Sequence, residues 1–347
     1  MLNTFSKIIL FVLLPIQFAS AQLIPIDEAE LSEMTGQAFI NLDHSSSDGL
    51  DFTKVSLGLE VKTSLNSNLL DVGNYDNGSD IRIKDFALGN IESDGSITPF
   101  EIEDPFIELA FEQEGVKQNL VGVRLGFGGA KGALSGTIES LSGNINVDIR
   151  DTAAGLNNSG SALGGLAAVL LANSPIETTA QLVDSNGNLD QTRASLVGIP
   201  NGDTFDIYAS NSLERIALTV IDALPQTECA ARTWIGSCKQ LELEAQSCEA
   251  LGISVCFDLK KYNTLDVGTN VVKDGNGKVT SSDFAEGLFL GFQTKAITWI
   301  DGTTSTTATR GAFLNVPNGG LQVNLADAFK GTDRVRTRYV DPYFSGF

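Results

Sequence analysis

Asn119–Phe127 reads Asn-Leu-Val-Gly-Val-Arg-Leu-Gly-Phe. Val121, Val123, Leu125 and Phe127 occupy every second position, with Gly122, Arg124 and Gly126 between them. Successive side chains point to opposite faces in a β-strand, so this period of two argues a half-buried strand. The same period runs through Val55-Leu57-Leu59-Val61, interleaved with Ser56, Gly58 and Glu60. It recurs at Ile81 and Ile83 beside Arg82 and Lys84, and in Ile145–Ile149, Phe205–Tyr208, Leu288–Ile300 and Leu321–Leu325. Asn-Gly pairs (Asn77-Gly78, Asn186-Gly187, Asn201-Gly202, Asn276-Gly277, Asn318-Gly319) and Asp-Gly pairs such as Asp48-Gly49 and Asp94-Gly95 separate these runs. Such pairs supply the positive φ angles of tight hairpins. The fold class expected is mainly β: antiparallel, sheet- or sandwich-like, with a small helical insertion and a disulfide-stapled segment.

Helical signals are few. Gly160–Asn173, GSALGGLAAVLLAN, ends before Pro175 and reads as a helix of small residues packed on a sheet. Ser212–Leu224 reads as a second helix, with Arg215–Asp222 also open to a strand reading. Lys239–Gly252 reads as a third, and Asn324–Lys330 as a single turn. Cys229, Cys238, Cys248 and Cys256 fall within a segment of about 225–258. An even count in an exported chain points to two disulfides, with three connectivities open. Their spacing has no C-x-x-C knuckle, which argues against a zinc site.

The export reading comes from residues 1–21. Lys7 precedes the apolar run Ile8–Leu14, Pro15 breaks it, and Ala19-Ser20-Ala21 supplies a small-residue cleavage site. That run is shorter than the roughly 20 residues that span a bilayer. Residues 22–347 then form one β-rich exported domain, and no transmembrane helix is expected in it. The chain holds 23 Lys and Arg against 43 Asp and Glu, a net charge of −20. Nucleic-acid binding rests on neutralising phosphates with cations, so this balance argues against it. It also argues against bare anionic membrane surfaces.

Catalytic patterns are weak. His44 is the only histidine and sits in Asp43–Gly49, which reads as a loop. No G-x-S-x-G elbow is present. Gly126–Gly132 lacks the Gly-Lys-Ser/Thr ending of a phosphate loop and reads as a glycine-rich bend. Glu101/Glu103 and Glu112/Glu114 each share a strand face, with nothing to set them across a cleft. The chain reads as no enzyme and without a cofactor. Asp71, Asp76 and Asp80 form the best metal candidate, a structural calcium site outside the EF-hand pattern. Arg334, Arg336 and Arg338, at a period of two, read as one strand face able to dock an anionic partner.

Glu30–Ile40, ELSEMTGQAFI, resembles the mature N-terminus of a group of uncharacterised exported bacterial proteins, some of them called FilA and tied to a pilus system. Gly287–Trp299, Gly311–Pro317 and Arg334–Tyr339 follow in the order that group leads one to expect. The resemblance implies an envelope or surface protein of a Gram-negative bacterium, with pilus-system partners and no catalytic residues to transfer. Leu31, Thr35, Gly36 and Gln37, within that motif, are candidate docking residues. The expected function is a non-catalytic envelope or surface component. One alternative is a periplasmic or surface binding protein, holding a hydrophobic ligand between a sheet and the Gly160–Asn173 helix. A second is an outer-membrane β-barrel, suggested by the terminal Phe347 but opposed by Pro342 and by only five Tyr and two Trp for aromatic girdles.

Overall fold

Alternating side chains and two-residue turns organise the chain into three large sheets. The computed structural model describes residues 40–115, 117–274, 278–302 and 304–338. Residues 1–21, read as an export signal, the Leu31, Thr35, Gly36 and Gln37 motif and Asp341–Phe347 lie outside the described residues.

The first sheet has seven strands. In spatial order they are β1 (Ile40–Ser47), β2 (Leu50–Leu57), Phe106–Glu114, Lys117–Gly126, Phe289–Gln293, Gly311–Val316 and Gly143–Ile145. All pairings are antiparallel except the last. The second sheet runs Glu60–Thr63, Phe100–Glu103, Gly129–Ser140, Gly78–Leu88 and Leu65–Tyr75, with Thr264–Val267 also paired to Gly129–Ser140. The third runs Thr227–Arg232, Cys238–Glu244, Thr204–Tyr208, Pro175–Val183, Val147–Thr152 and Gln322–Val323. Among the described residues each sheet is open, with unpaired end strands.

One core joins side chains of the second and third sheets, among them Ile81, Ile138, Ile149, Ile176, Ile207 and Leu241. A second core lies between the first sheet and the hairpin of Ile297–Asp301 with Thr304–Ala308; Phe52, Ala110, Val121, Phe289, Trp299 and Phe313 fill it.

Helix α1 (Ala162–Leu170) follows a 3-10 turn at Ala153–Ser159 and starts at Ser161, whose hydroxyl accepts from the Gly164 N–H. Helix α2 (Ser212–Ile221) begins at Asn211, whose side chain accepts from the N–H groups of Leu213 and Glu214. The segment read as helix or strand, Arg215–Asp222, is thus helix to Ile221, with Asp222 its C-cap. Helix α3 (Leu325–Lys330) is capped by Asn324. These side-chain acceptors satisfy the N–H groups that every helix start leaves unpaired. No helix among the described residues is long and apolar enough to cross a membrane.

Several readings need correction. Besides those that follow, Ile145–Ile149 and Leu288–Ile300 are each divided between two strands of different sheets. Lys239–Gly252 is not a helix: Cys238–Glu244 is a strand that buries Leu241 and Leu243 while Gln240, Glu242 and Glu244 face the other way. Residues with good helix propensity hid a period of two, and tertiary pairing overrode propensity. His44 is in strand β1 rather than a loop, because the hairpin turning at Asp48-Gly49 continues in register back to Ile40. Val55–Val61 is not one strand. The chain leaves the first sheet after Leu57 and enters the second at Glu60, with Leu57 N–H bonded to Pro105 O and Asp104 N–H bonded to Leu59 O. Arg334–Arg338 forms no strand. Its backbone bonds singly elsewhere: Val335 N–H donates to Thr264 Oγ1, and Arg336 O accepts from Ile91 N–H.

Candidate functional site

Asp48 and Gly49 both take positive φ and close the β1–β2 hairpin in two residues. A two-residue turn makes Ser47 and Leu50 a hydrogen-bonded pair, and bonded pairs then alternate along the ladder. Ser45, Asp43 and Asn41 therefore bond to β2. The backbone N–H and C=O of Ser46, His44, Leu42 and Ile40 point the other way. No strand among the described residues takes that side, since β1 ends the sheet. Every β1 residue except Ser47 is exposed. Natural edges are blunted by Lys, Pro, bulges or cover. Among the described residues strand β1 has none of these, only the charge of Asp43.

The side chains at this edge continue an apolar row. Leu42, Val55, Ile107, Leu125, Leu290 and Leu314 are register neighbours across six strands. Leu290 and Leu314 pack on the main core, whereas Leu125 is 38% exposed and Leu42 58% exposed. The row runs from the core out to the open edge.

The reason leucines face solvent here is on the other side of the sheet. Arg124 is completely buried between Glu108 and the Ile297–Asp301 strand. Its Nε donates to Glu108 Oε2 at 2.5 Å, and Nη1 and Nη2 donate to the two Asp301 oxygens at 2.7 and 2.9 Å. Nη2 also reaches Ile300 O at 2.9 Å. The rings of Phe106, Phe289 and Trp299 surround the guanidinium at 5.1–5.2 Å. Burial pushes the Glu108 carboxyl up, and the guanidinium opposes it. Gly122 and Gly126 flank Arg124, and a Cβ at either would strike Ile297 or the Phe106 ring. The aromatic cover thus lies directly on this face and leaves Leu125 outward.

The proposed calcium ligands are not assembled. Asp71 pairs with Arg82 at 3.1 Å. Asp80 is buried, accepting from Arg193 Nε at 2.9 Å and from the Ala312 N–H at 2.8 Å. Asp76 sits exposed in the Asp76-Asn77 turn. Arginines therefore hold the two carboxylates that a cation would need, and among the described residues no group of three or more His, Cys, Asp or Glu could hold a metal ion.

The three arginines do not form a strand face, although Arg334 and Arg338 both reach Asp85. Arg334 donates to Asp85 O and lines a polar cleft of about 790 Å³, together with Lys131, Asp266, Lys273 and Asp327. Arg336 Nε reaches Arg338 O, and Arg338 donates to Asn68 Oδ1. The cleft's charges are largely paired with one another, as in Lys273–Asp266 at 2.7 Å and Lys278–Glu92 at 3.1 Å. A separate apolar void beside Ile138, Leu141 and Tyr262 measures about 20 Å³, against the roughly 300 Å³ or more of an ordinary ligand pocket. Glu101 faces Lys62 and Lys131, and Glu112 binds Lys295.

The cysteines pair as Cys229–Cys238 and Cys248–Cys256, a choice left open by spacing. The first bridges the two strands of one hairpin, and the second closes the loop before Cys256–Asp258. Two disulfides belong to an oxidising compartment outside the cytoplasm.

Two features had no signal in the linear chain. One is the Arg124–Glu108–Asp301 node. The other is a register row of acids across the third sheet: Glu177, Asp206, Glu242 and Glu228. In comparisons with protein-family models, with curated proteins and with solved structures, nothing matches this chain.

Proposed function

We propose that this protein is a non-catalytic component of the envelope or surface of a Gram-negative bacterium, associated with a pilus-like system, that joins a protein partner by strand addition at β1. The observation that carries this reading is the β1 edge, which no described residue pairs or covers, with four outward backbone positions and Leu42 beginning an apolar row. An added strand would satisfy the backbone groups, and its alternate side chains would cover Leu42 and Ile40. The N-terminal motif that resembles pilus-system proteins immediately precedes this strand.

The test combines location with a point change. Cells are shaved with protease and sheared, and the protein is followed in each fraction. Leu42→Pro removes an outward N–H without taking a bond from the β1–β2 ladder. The reading expects release of the wild type with sheared surface material and loss of that association in Leu42→Pro, with melting little changed. Equal association of both proteins rejects strand addition. Full protection of the wild type until the outer membrane is opened rejects the surface location.

A further inference from the structure

The tip of the Thr227–Arg232/Cys238–Glu244 hairpin is a hydrogen-bonded turn, in which Gly236 N–H bonds to Thr233 O and Thr233 N–H to Ser237 O. Its two central residues are Trp234 and Ile235. Turn centres favour Gly, Asn, Asp and Pro, for conformational reasons that an indole does not meet. Trp234 is nonetheless 96% exposed. Next to the tip lies α2, whose outer face carries Leu213, Ile216 and Val220 at helical spacing, all exposed, followed by exposed Leu224.

Helix and hairpin are fixed to each other. Cys238 N–H donates to Thr219 Oγ1 at 2.8 Å, Arg232 donates to Asp222, and Thr227 Oγ1 donates to Leu224 O at 2.8 Å. The Cys229–Cys238 bridge staples the hairpin below its tip. The apolar tip is therefore held out by a braced frame.

Charge distinguishes this corner from the rest of the molecule. Across α2 with its cap and the tip half of the hairpin, Ser212–Asp222 and Cys229–Leu241, two acids (Glu214, Asp222) meet three bases (Arg215, Arg232, Lys239), in a chain of net charge −20. Glu228, Glu242 and Glu244 lie at the far end of the hairpin. Glu214 is buried and accepts from the Ser210 N–H, and Asp222 is held by Arg232. Lys239 stays exposed. We infer that Trp234, Ile235 and the outer face of α2 form a surface that inserts into the interface of a zwitterionic phospholipid bilayer. The indole ring suits the headgroup level, the aliphatic side chains suit the acyl boundary, and the neutral surroundings are compatible with the phosphates. The acidic remainder of the chain would be repelled by anionic lipid, which makes a neutral headgroup layer the surface it fits. This surface is separate from the β1 edge and does not depend on the function proposed for it.

The protein contains two tryptophans, and Trp299 is 1% exposed, so an indole signal that responds to lipid belongs to Trp234. The experiment mixes the oxidised chain from residue 22 onward with phosphatidylcholine vesicles, with and without brominated acyl chains. Emission and vesicle flotation are the readouts. The expected result is a blue shift, quenching by the brominated lipid and co-flotation. Trp234→Ser and Ile216→Ser, both at exposed positions, should each keep the fold, and together lower partitioning roughly tenfold or more. Leu42→Pro should leave it unchanged. Failure of the wild type to float, with unshifted emission, overturns the inference. So does a lipid-independent blue shift that grows with protein concentration and disappears in Trp234→Ser, which would assign the patch to a second copy of the chain.

Discussion

Arg124 and Glu108 face each other across adjacent strands of the first sheet, Nε to Oε2 at 2.5 Å, with no solvent reaching the guanidinium. Removing one member of a buried pair strands the other, at a cost of about 3–5 kcal/mol, whereas replacing both with apolar groups of similar size is often neutral. Arg124→Met should therefore lower stability by about 3–5 kcal/mol in urea unfolding, and adding Glu108→Leu should recover much of that loss. A double variant as unstable as the single one would show that Asp301 is the partner that matters.

Like charges directly opposite one another weaken a sheet by about 0.2–1 kcal/mol per pair. In the row Glu177–Asp206–Glu242–Glu228, burial pushes the Asp206 carboxyl up and Glu177 adds to the shift, against hydrogen bonds from Tyr208 and Gln240. A carboxyl that holds its proton more tightly when folded stabilises the fold on the acid side. That gain is complete below the ordinary aspartate value of 3.8 and is lost as pH rises through the higher folded value. Asp206→Asn should gain about 0.2–1 kcal/mol at pH 7 and flatten the stability profile over that window. A loss of stability at pH 7 would overturn this account.

Both disulfides close short loops, with separations of 9 and 8 residues. Chain-entropy arguments give about 2–3 kcal/mol for loops of this length. Reduction should lower the melting temperature clearly, and each Cys→Ser pair should give part of the drop. Melting that is unchanged in reductant would sink the structural role of the bridges.

Asp80 holds Arg193 and the Ala312 N–H, and Asp71 holds Arg82. A chelator should therefore leave thermal melting unchanged, while Asp80→Ala, which orphans both donors, should cost several kcal/mol, about 3–5 by analogy with other broken buried pairs. A chelator-induced fall in melting temperature would restore a metal to this loop.

The sequence by itself determined the class of the fold. Period-two runs such as Asn119–Phe127 and Phe205–Tyr208 became strands, and Asp48-Gly49 turns where its backbone preference dictates. Ile145–Ile149, by contrast, breaks at Asn146 between two sheets, and the turn read at Asn77-Gly78 falls on Asp76-Asn77. Asn211 and Asn324 start helices because their side chains accept the first free N–H groups. These are local effects, written in neighbouring residues. Tertiary structure decided what local preference leaves open. Alternation in Val-Gly-Val-Arg-Leu-Gly says that Arg124 and Leu125 lie on opposite faces but not which face is covered. The hairpin carrying Trp299 and Asp301, far along the chain, turned the arginine inward and the leucine out. Partners distant in sequence likewise claimed Asp80, drew Cys238–Glu244 into a strand, and left β1 at the end of its sheet. Burial and pairing between distant segments are worth more than local propensity, and they appear only once the chain is folded.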